Sequence, residues 1–190
     1  MKRFYFDTET NGFPSKDGTP LDKCNYICQL AGILVDDESG EVASINTIIK
    51  PAGWTIPDDV AAIHGITTAK ADAFGIPSRV AMALFSNLVR VADQIVAHNI
   101  GFDLKFYGYE IARAGAVNVL TDKPRFCTMD ATTDLCKIPG RYPGKFKWPK
   151  LIEAHTILLG GGFDGAHDAL ADVRACQRLH AHLLTNKLAA

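Results

Sequence analysis

Three β-rich runs come before any helical pattern in this chain, and that order limits what it can fold into. Arg3-Phe4-Tyr5-Phe6 opens the chain, and residues 27–35 and 42–49 follow. Asp36-Asp37-Glu38-Ser39-Gly40 separates the second run from the third and predicts a hairpin loop, with its three acids solvated in the turn. Residues 15–25, with Gly18 and Pro20, predict a polar surface loop. From Pro57 the pattern turns helical, with Asp58 or Asp59 as the cap ahead of Val60. Residues 78–92 predict an amphipathic helix with apolar positions at Val80, Leu84, Leu88 and Val91. A short buried strand at 94–98, a helix at 102–114 and a closing helix at 168–184 complete the pattern. Leading strands followed by alternating helices and strands predict an α/β domain with a mixed sheet. With no repeat or linker, the 190 residues read as one domain, 1–190.

Composition narrows the functional classes. No apolar run approaches the length of a membrane span, and Asp7 interrupts the stretch after Met1-Lys2-Arg3, so neither a membrane segment nor a signal peptide is expected. The five cysteines are odd in number and lack CxxC or zinc-ligand spacing, which predicts reduced thiols and a cytoplasmic location, with the close pair Cys24 and Cys28 structural. A net charge of −1 and a pI near 6.6 argue against a protein that coats nucleic acid through a broad basic surface. They are compatible with one that grips only a strand end.

The acids carry the chemical signal. Asp7 and Glu9 are two residues apart on the first strand, so both side chains point to one face. Such a pair repels itself unless a cation or a proton offsets the charge, and magnesium suits one or two carboxylates plus phosphate oxygens. Asp103 follows a strand end at the start of a helix, where ligands of open α/β sheets gather; by itself it would serve the helix dipole. Gly165 lets the chain bend before the last helix. Helical residues five apart are rotated by about 140°, so His167 is expected in the loop, leaning over the site, rather than on one helical face with Asp172. Asp168 and Asp172 would share a face, and spacing leaves open which of them is the ligand.

Asp7-Thr8-Glu9, His98-Asn99-x-x-Phe102-Asp103 and His167-Asp168-Ala169-x-x-Asp172 resemble, in order and spacing, the three motifs of the DEDDh 3'-to-5' exonuclease family. Ile63-His64-Gly65-Ile66-Thr67 is similar to the segment between the first two motifs in its proofreading-type members. The resemblance spans residues 4 to about 182. It implies a ribonuclease H-like fold, a mixed five-stranded sheet flanked by helices. Asp7, Glu9, Asp103 and Asp172 become the ligands of two divalent ions, Mg2+ or Mn2+, with His167 as general base and Asp168 as its structural neighbour. The implied reaction is two-metal-ion hydrolysis that releases nucleoside 5'-monophosphates from single-stranded 3' ends. Thr10, Asn11 and Gly12 would lie along the terminal nucleotide, where backbone contacts and small size allow close approach. The resemblance adds His64 and Asn99 near the sugar-phosphate, Phe102 near the base, and Asp59.

Residues 137–150 hold five basic residues, three aromatic ones and no acid, a composition suited to single strands. Arg141, Tyr142, Lys145 and Lys147 are expected on the strand, and Trp148 is expected to anchor the next helix in the core. DNA is preferred to RNA on the strength of the His64 segment; an RNA-trimming or short-oligonucleotide exonuclease and an inactive binding module are the alternatives. The short stretch after the last helix predicts a stand-alone enzyme rather than a polymerase-bound subunit.

Overall fold

The computed structural model describes residues 1–188; Ala189 and Ala190, the end of the expected 1–190 domain, lie outside the described residues. Strand β1 (Lys2–Thr10) pairs antiparallel with β2 (Ile27–Asp36), which pairs antiparallel with β3 (Gly40–Ile48). On its other edge β1 pairs parallel with β4 (Gln94–Ala97), and β4 pairs parallel with β5 (Arg125–Cys127). The order β3-β2-β1-β4-β5 makes the mixed sheet that the sequence pattern predicts, with the five strands that the family resemblance implies; β5 is the strand the pattern did not reveal.

Alternation along β1 gives each face its own core. Phe4 and Phe6 lie side by side, and each meets Phe85 of α3 (Ser78–Val91) edge-on, at 4.9 and 5.6 Å. Phe106 and Tyr107 of α4 (Ile100–Arg113) fill the rest of that face. On the opposite face Tyr5, Ala31, Ile33 and Val96 pack against Ala169, Val173 and Cys176 of α7 (Ala169–Thr185). Because Tyr5, Asp7 and Glu9 share this face, packing of α7 brings its first turn to the two acids. Short helices α1 (Asp58–His64) and α2 (Thr68–Phe74) lie between β3 and α3 in the chain, and α5 (Thr128–Cys136) and α6 (Leu151–Leu159) between β5 and α7. Among the described residues no helix is long and apolar enough to cross a membrane.

Several expectations are corrected. Helix α3 buries Ala81, Met82, Phe85, Ser86 and Val89, while Val80, Leu84 and Val91 are exposed and only Leu88 packs against the core. Its apolar side chains form one broad arc, from Val80, Leu84 and Val91 through Leu88 to Phe85, Val89 and Met82, and the fit of Phe85 against Phe4 and Phe6 decides which half of that arc is buried. The N-cap of α1 is Pro57, and neither Asp58 nor Asp59 caps it; both lie in the first turn, where the dipole favours acids. Trp148 does not anchor α6 in the core: it is 68% exposed. The start of α6 is held instead by Glu153, which accepts from Lys147 Nζ at 2.7 and 2.9 Å and from the Lys150 N–H at 2.8 Å.

Candidate active site

The pairing of β1 with β4 ends at Tyr5 and Val96, so farther along β1 that edge faces the start of α4 instead of a strand. Asp103 fills the gap. Its Oδ1 accepts the Thr8 N–H at 3.0 Å and the Thr8 hydroxyl at 2.7 Å, and the residue is 2% exposed. Asp103 thus serves β1 rather than the end of its own helix, whose N-cap is Asn99 in the left-handed conformation (φ 65°). On the α7 side, Asp168 is the N-cap: Oδ1 accepts from the N–H groups of Leu170 and Ala171, and Oδ2 accepts from Gln29 Nε2 at 3.0 Å. Both of its oxygens are committed to structure. Asp172, one turn on, approaches the acids of β1. A bend at Gly165 and a left-handed His167 (φ 69°) bring the loop back over this turn, and the His167 N–H donates to Asp172 Oδ2 at 3.1 Å. Side-chain atoms of Glu9, His167 and Asp172 able to bind a metal all lie within 4.8 Å of one another.

Burial and mutual repulsion act together on these acids. Asp7 is pushed well above the usual carboxylate range, first by burial and then by Asp103, Asp172 and Glu9. Glu9 is raised to about 8 by burial and by Asp172 and Asp103. Burial raises Asp103 to about 7 against the opposing pull of its two Thr8 bonds, and Asp172 to about 6. No Lys or Arg is among the groups that shift these four acids. An oxygen-rich cluster with His167 at its edge and no Lys or Arg partner fits a hard divalent cation such as Mg2+ or Mn2+.

A cavity of about 260 Å³ opens beside Glu9 and His167. Thr10, Gly12, His64 and Phe102 line it, as do three residues that sequence reasoning missed, Phe13, Val60 and Ile63. Phe13 is 85% exposed, and its only signal is an aromatic residue set after Asn11-Gly12 in a polar loop. A Cβ at Gly12 would sit 2.6 Å from Asn25 Nδ2, so a larger residue there would displace the Asn25 side chain. His64 Nδ1 accepts the Ile66 N–H at 3.1 Å, so Nε2 carries the hydrogen, and among the described residues it has no partner. Asn11 turns away: Oδ1 accepts the Tyr26 N–H at 2.7 Å and Nδ2 donates to Thr55 O at 3.1 Å. Asp59 and Asn99 are exposed and do not line the cavity.

Residues 137–150 form a small hairpin closed by a bridge between Pro139 and Phe146. Arg141, Tyr142 and Lys145 are exposed on it, whereas Lys147 is tied to Glu153. His98 fastens its base, donating from Nε2 to Pro149 O at 2.9 Å, with Nδ1 2.9 Å from the Thr128 hydroxyl. His98 directly follows β4, so the hairpin is attached at the sheet end where the acids lie.

A family model described as RNase T exonuclease matches residues 4–179, and the chain belongs to this exonuclease family. Among solved structures, Escherichia coli exonuclease I in complex with a dA16 oligonucleotide is similar, with 22% identity and a TM-score of 0.78 over 98% of this chain and 42% of that one. The zinc-bound complex of E. coli exonuclease I with single-stranded DNA gives 23% and 0.75 over 98% and 41%. Exonuclease I from Methylocaldum szegediense, moderately thermophilic, gives the same four values, 23%, 0.75, 98% and 41%. The chain therefore spans about two-fifths of the length of these proteins, and at this identity the likeness shows the shared fold. No curated protein sequence matches the chain.

Proposed function

We propose that this chain is a single-domain, metal-dependent 3'-to-5' exonuclease that releases nucleoside 5'-monophosphates from single-stranded DNA. The observation that carries the reading is the convergence of Asp7, Glu9, Asp103 and Asp172, from three separate segments, beside an apolar-walled cavity and with no Lys or Arg among the groups that shift them. These four acids would hold two divalent ions, Mg2+ or Mn2+. When bound, the ions supply Lewis-acid stabilisation of the phosphate oxygens in hydrolysis. The exposed His167 ring takes the proton from the attacking water, a role suited to a side chain that ordinarily titrates near neutrality.

The apolar side chains of Phe13, Ile63 and Phe102 receive the terminal base, and the free Nε2–H of His64 and the Thr10–Gly12 backbone meet its sugar-phosphate. Nucleotides farther along the strand run over the hairpin, where Tyr142 and Trp148 offer stacking faces and Arg141 and Lys145 offer cations. The oligonucleotide complexes of the exonuclease I structures support a single-stranded substrate, and their DNA together with the His64 segment supports DNA over RNA. Five unpaired thiols suit a reducing, cytoplasmic compartment. The RNase T designation of the family makes RNA the competing substrate.

DNA and RNA oligonucleotides of one sequence, labelled at the 5' end and incubated with Mg2+ or Mn2+, test the reading. A ladder shortened from the 3' end, formed faster on DNA, is expected. Equal or faster shortening of RNA overturns the substrate, and release of the 5' label as a mononucleotide overturns the polarity.

A further inference from the structure

Helix α4 carries Asp103 near its start and Arg113 at its last residue, ten residues on and so about 15 Å away along the axis. Arg113 lies outside the acidic site, and its contacts converge on the turn that precedes β2. Its Nη2 donates to three backbone carbonyls, Leu21 at 3.1, Cys24 at 2.6 and Asn25 at 3.2 Å. Nη1 donates to Glu110 at 2.7 Å, and Ser78 Oγ holds the other oxygen of that buried carboxylate at 2.5 Å. The guanidinium carbon sits 3.7 Å over the Tyr26 ring, on which Trp54 stacks at 4.8 Å and 6°.

The turn held in this way holds the wall of the cavity. Asn25 Nδ2 donates to Phe13 O at 2.8 Å. Tyr26 and Asn11 exchange two bonds, Tyr26 N–H to Asn11 Oδ1 at 2.7 Å and Asn11 N–H to Tyr26 O at 3.0 Å. We propose that Arg113 is a positioning residue for the nucleotide site: through the 24–26 turn it fixes the Asn11-Gly12-Phe13 wall, so that one helix sets both Asp103 and the surface that receives the terminal base. The proposal rests on the Phe13 cavity being that nucleotide site. A lysine could keep the charge beside Glu110, but it lacks the flat fork that reaches several carbonyls while stacking on a ring.

Two measurements on Arg113→Lys test this. In the free protein, amide hydrogen exchange should show lost protection at the Asn11 and Tyr26 N–H groups, with the Thr8 N–H still protected. With Mn2+ and the 4-nitrophenyl ester of thymidine 5'-monophosphate, KM should rise about tenfold while kcat stays within about threefold, the signature of lost binding rather than lost chemistry. Asn11→Ala should reproduce both effects, and the double variant should be little worse than either alone, because the two act in one chain of contacts. Should Arg113→Lys fail to fold, Glu110→Gln with Arg113→Met, which leaves no unpaired buried charge, is carried through the same measurements. Unchanged protection at Asn11 and Tyr26 overturns the proposal, as does a fall in kcat at constant KM. If the unaltered enzyme leaves the ester intact, the nuclease reading fails, while the exchange result still decides whether Arg113 holds the wall.

Discussion

Thr8 gives both of its hydrogens to one oxygen of Asp103, from the backbone at 3.0 Å and from the hydroxyl at 2.7 Å. These bonds favour the charged form and oppose the burial that, even against them, leaves Asp103 raised to about 7. Thr8→Val keeps the shape and removes the hydroxyl bond. A hydrogen bond to a charged group contributes roughly 1.5–3 kcal/mol, so the Mg2+ concentration for half-maximal rate should rise about tenfold or more. Titrating activity against Mg2+ checks this; an unchanged midpoint would mean that Asp103 does not depend on Thr8.

Stability without metal should fall as pH rises. Folded-state values of about 8 for Glu9, 7 for Asp103 and 6 for Asp172 lie above those of ordinary carboxylates, near 4. Between those limits the folded chain binds more protons than the unfolded one. The contribution of these acids to stability is therefore full below about pH 4 and is lost as pH climbs through about 6 to 8. The buried His180, lowered to about 4, acts in the opposite sense only below its ordinary value of 6.5, so the decline stands alone above that. Saturating Mg2+ should flatten the decline by replacing the protons. Melting temperatures in chelator and in Mg2+ across this window check it, and a rising Tm in chelator would contradict it.

His167→Ala should lower kcat by roughly 10²–10⁴, the usual loss for a general base, without changing metal affinity. The distinction is real here because His167 lies within ligand reach of Glu9 and Asp172. Mn2+ binding by calorimetry alongside turnover separates the roles. Normal turnover at saturating metal would make His167 a ligand.

On the hairpin, Arg141→Ala and Lys145→Ala should each lower the salt dependence of long-strand binding by about 0.7 in slope. Trp148→Ala should cost about 1–3 kcal/mol through one lost stacking contact. Lys147→Ala, by contrast, should loosen the start of α6 through Glu153 and leave the slope unchanged. Binding of long oligonucleotides across a salt series measures all of these, and unchanged values for Arg141, Lys145 and Trp148 would mean a merely solvated loop.

Four of the five strands and the Asp7–Glu9 pair were legible in the sequence because they are local: alternation on β1 faces the two acids together, and strand order gives the mixed sheet, whereas Asp103 and Asp172 stood out only through the family resemblance. Where two local patterns competed, the sequence could not choose. Helix α3 offers an apolar arc wider than the core can cover, and which half is buried is decided only by Phe85 against Phe4 and Phe6. Asp168 and Asp172 share a helix face, and what separates them is the bond from Gln29 on β2 to Asp168. Trp148, Asn11 and the Phe13 wall depend on contacts between segments distant in the chain, which no spacing rule encodes.

Release of the 3'-terminal nucleotide from end-labelled single-stranded DNA, by the unaltered protein and by Asp7→Asn in Mn2+ or in chelator, tests the acidic cluster most directly. Asparagine keeps the size of Asp7 and relieves the repulsion that raises it, so the variant should fold and should melt higher than the unaltered protein in chelator near pH 8. The expected result is a nucleoside 5'-monophosphate from the unaltered protein with metal alone, and background release from Asp7→Asn. Comparable release in chelator, or full activity in Asp7→Asn, would contradict a metal site built on these four carboxylates.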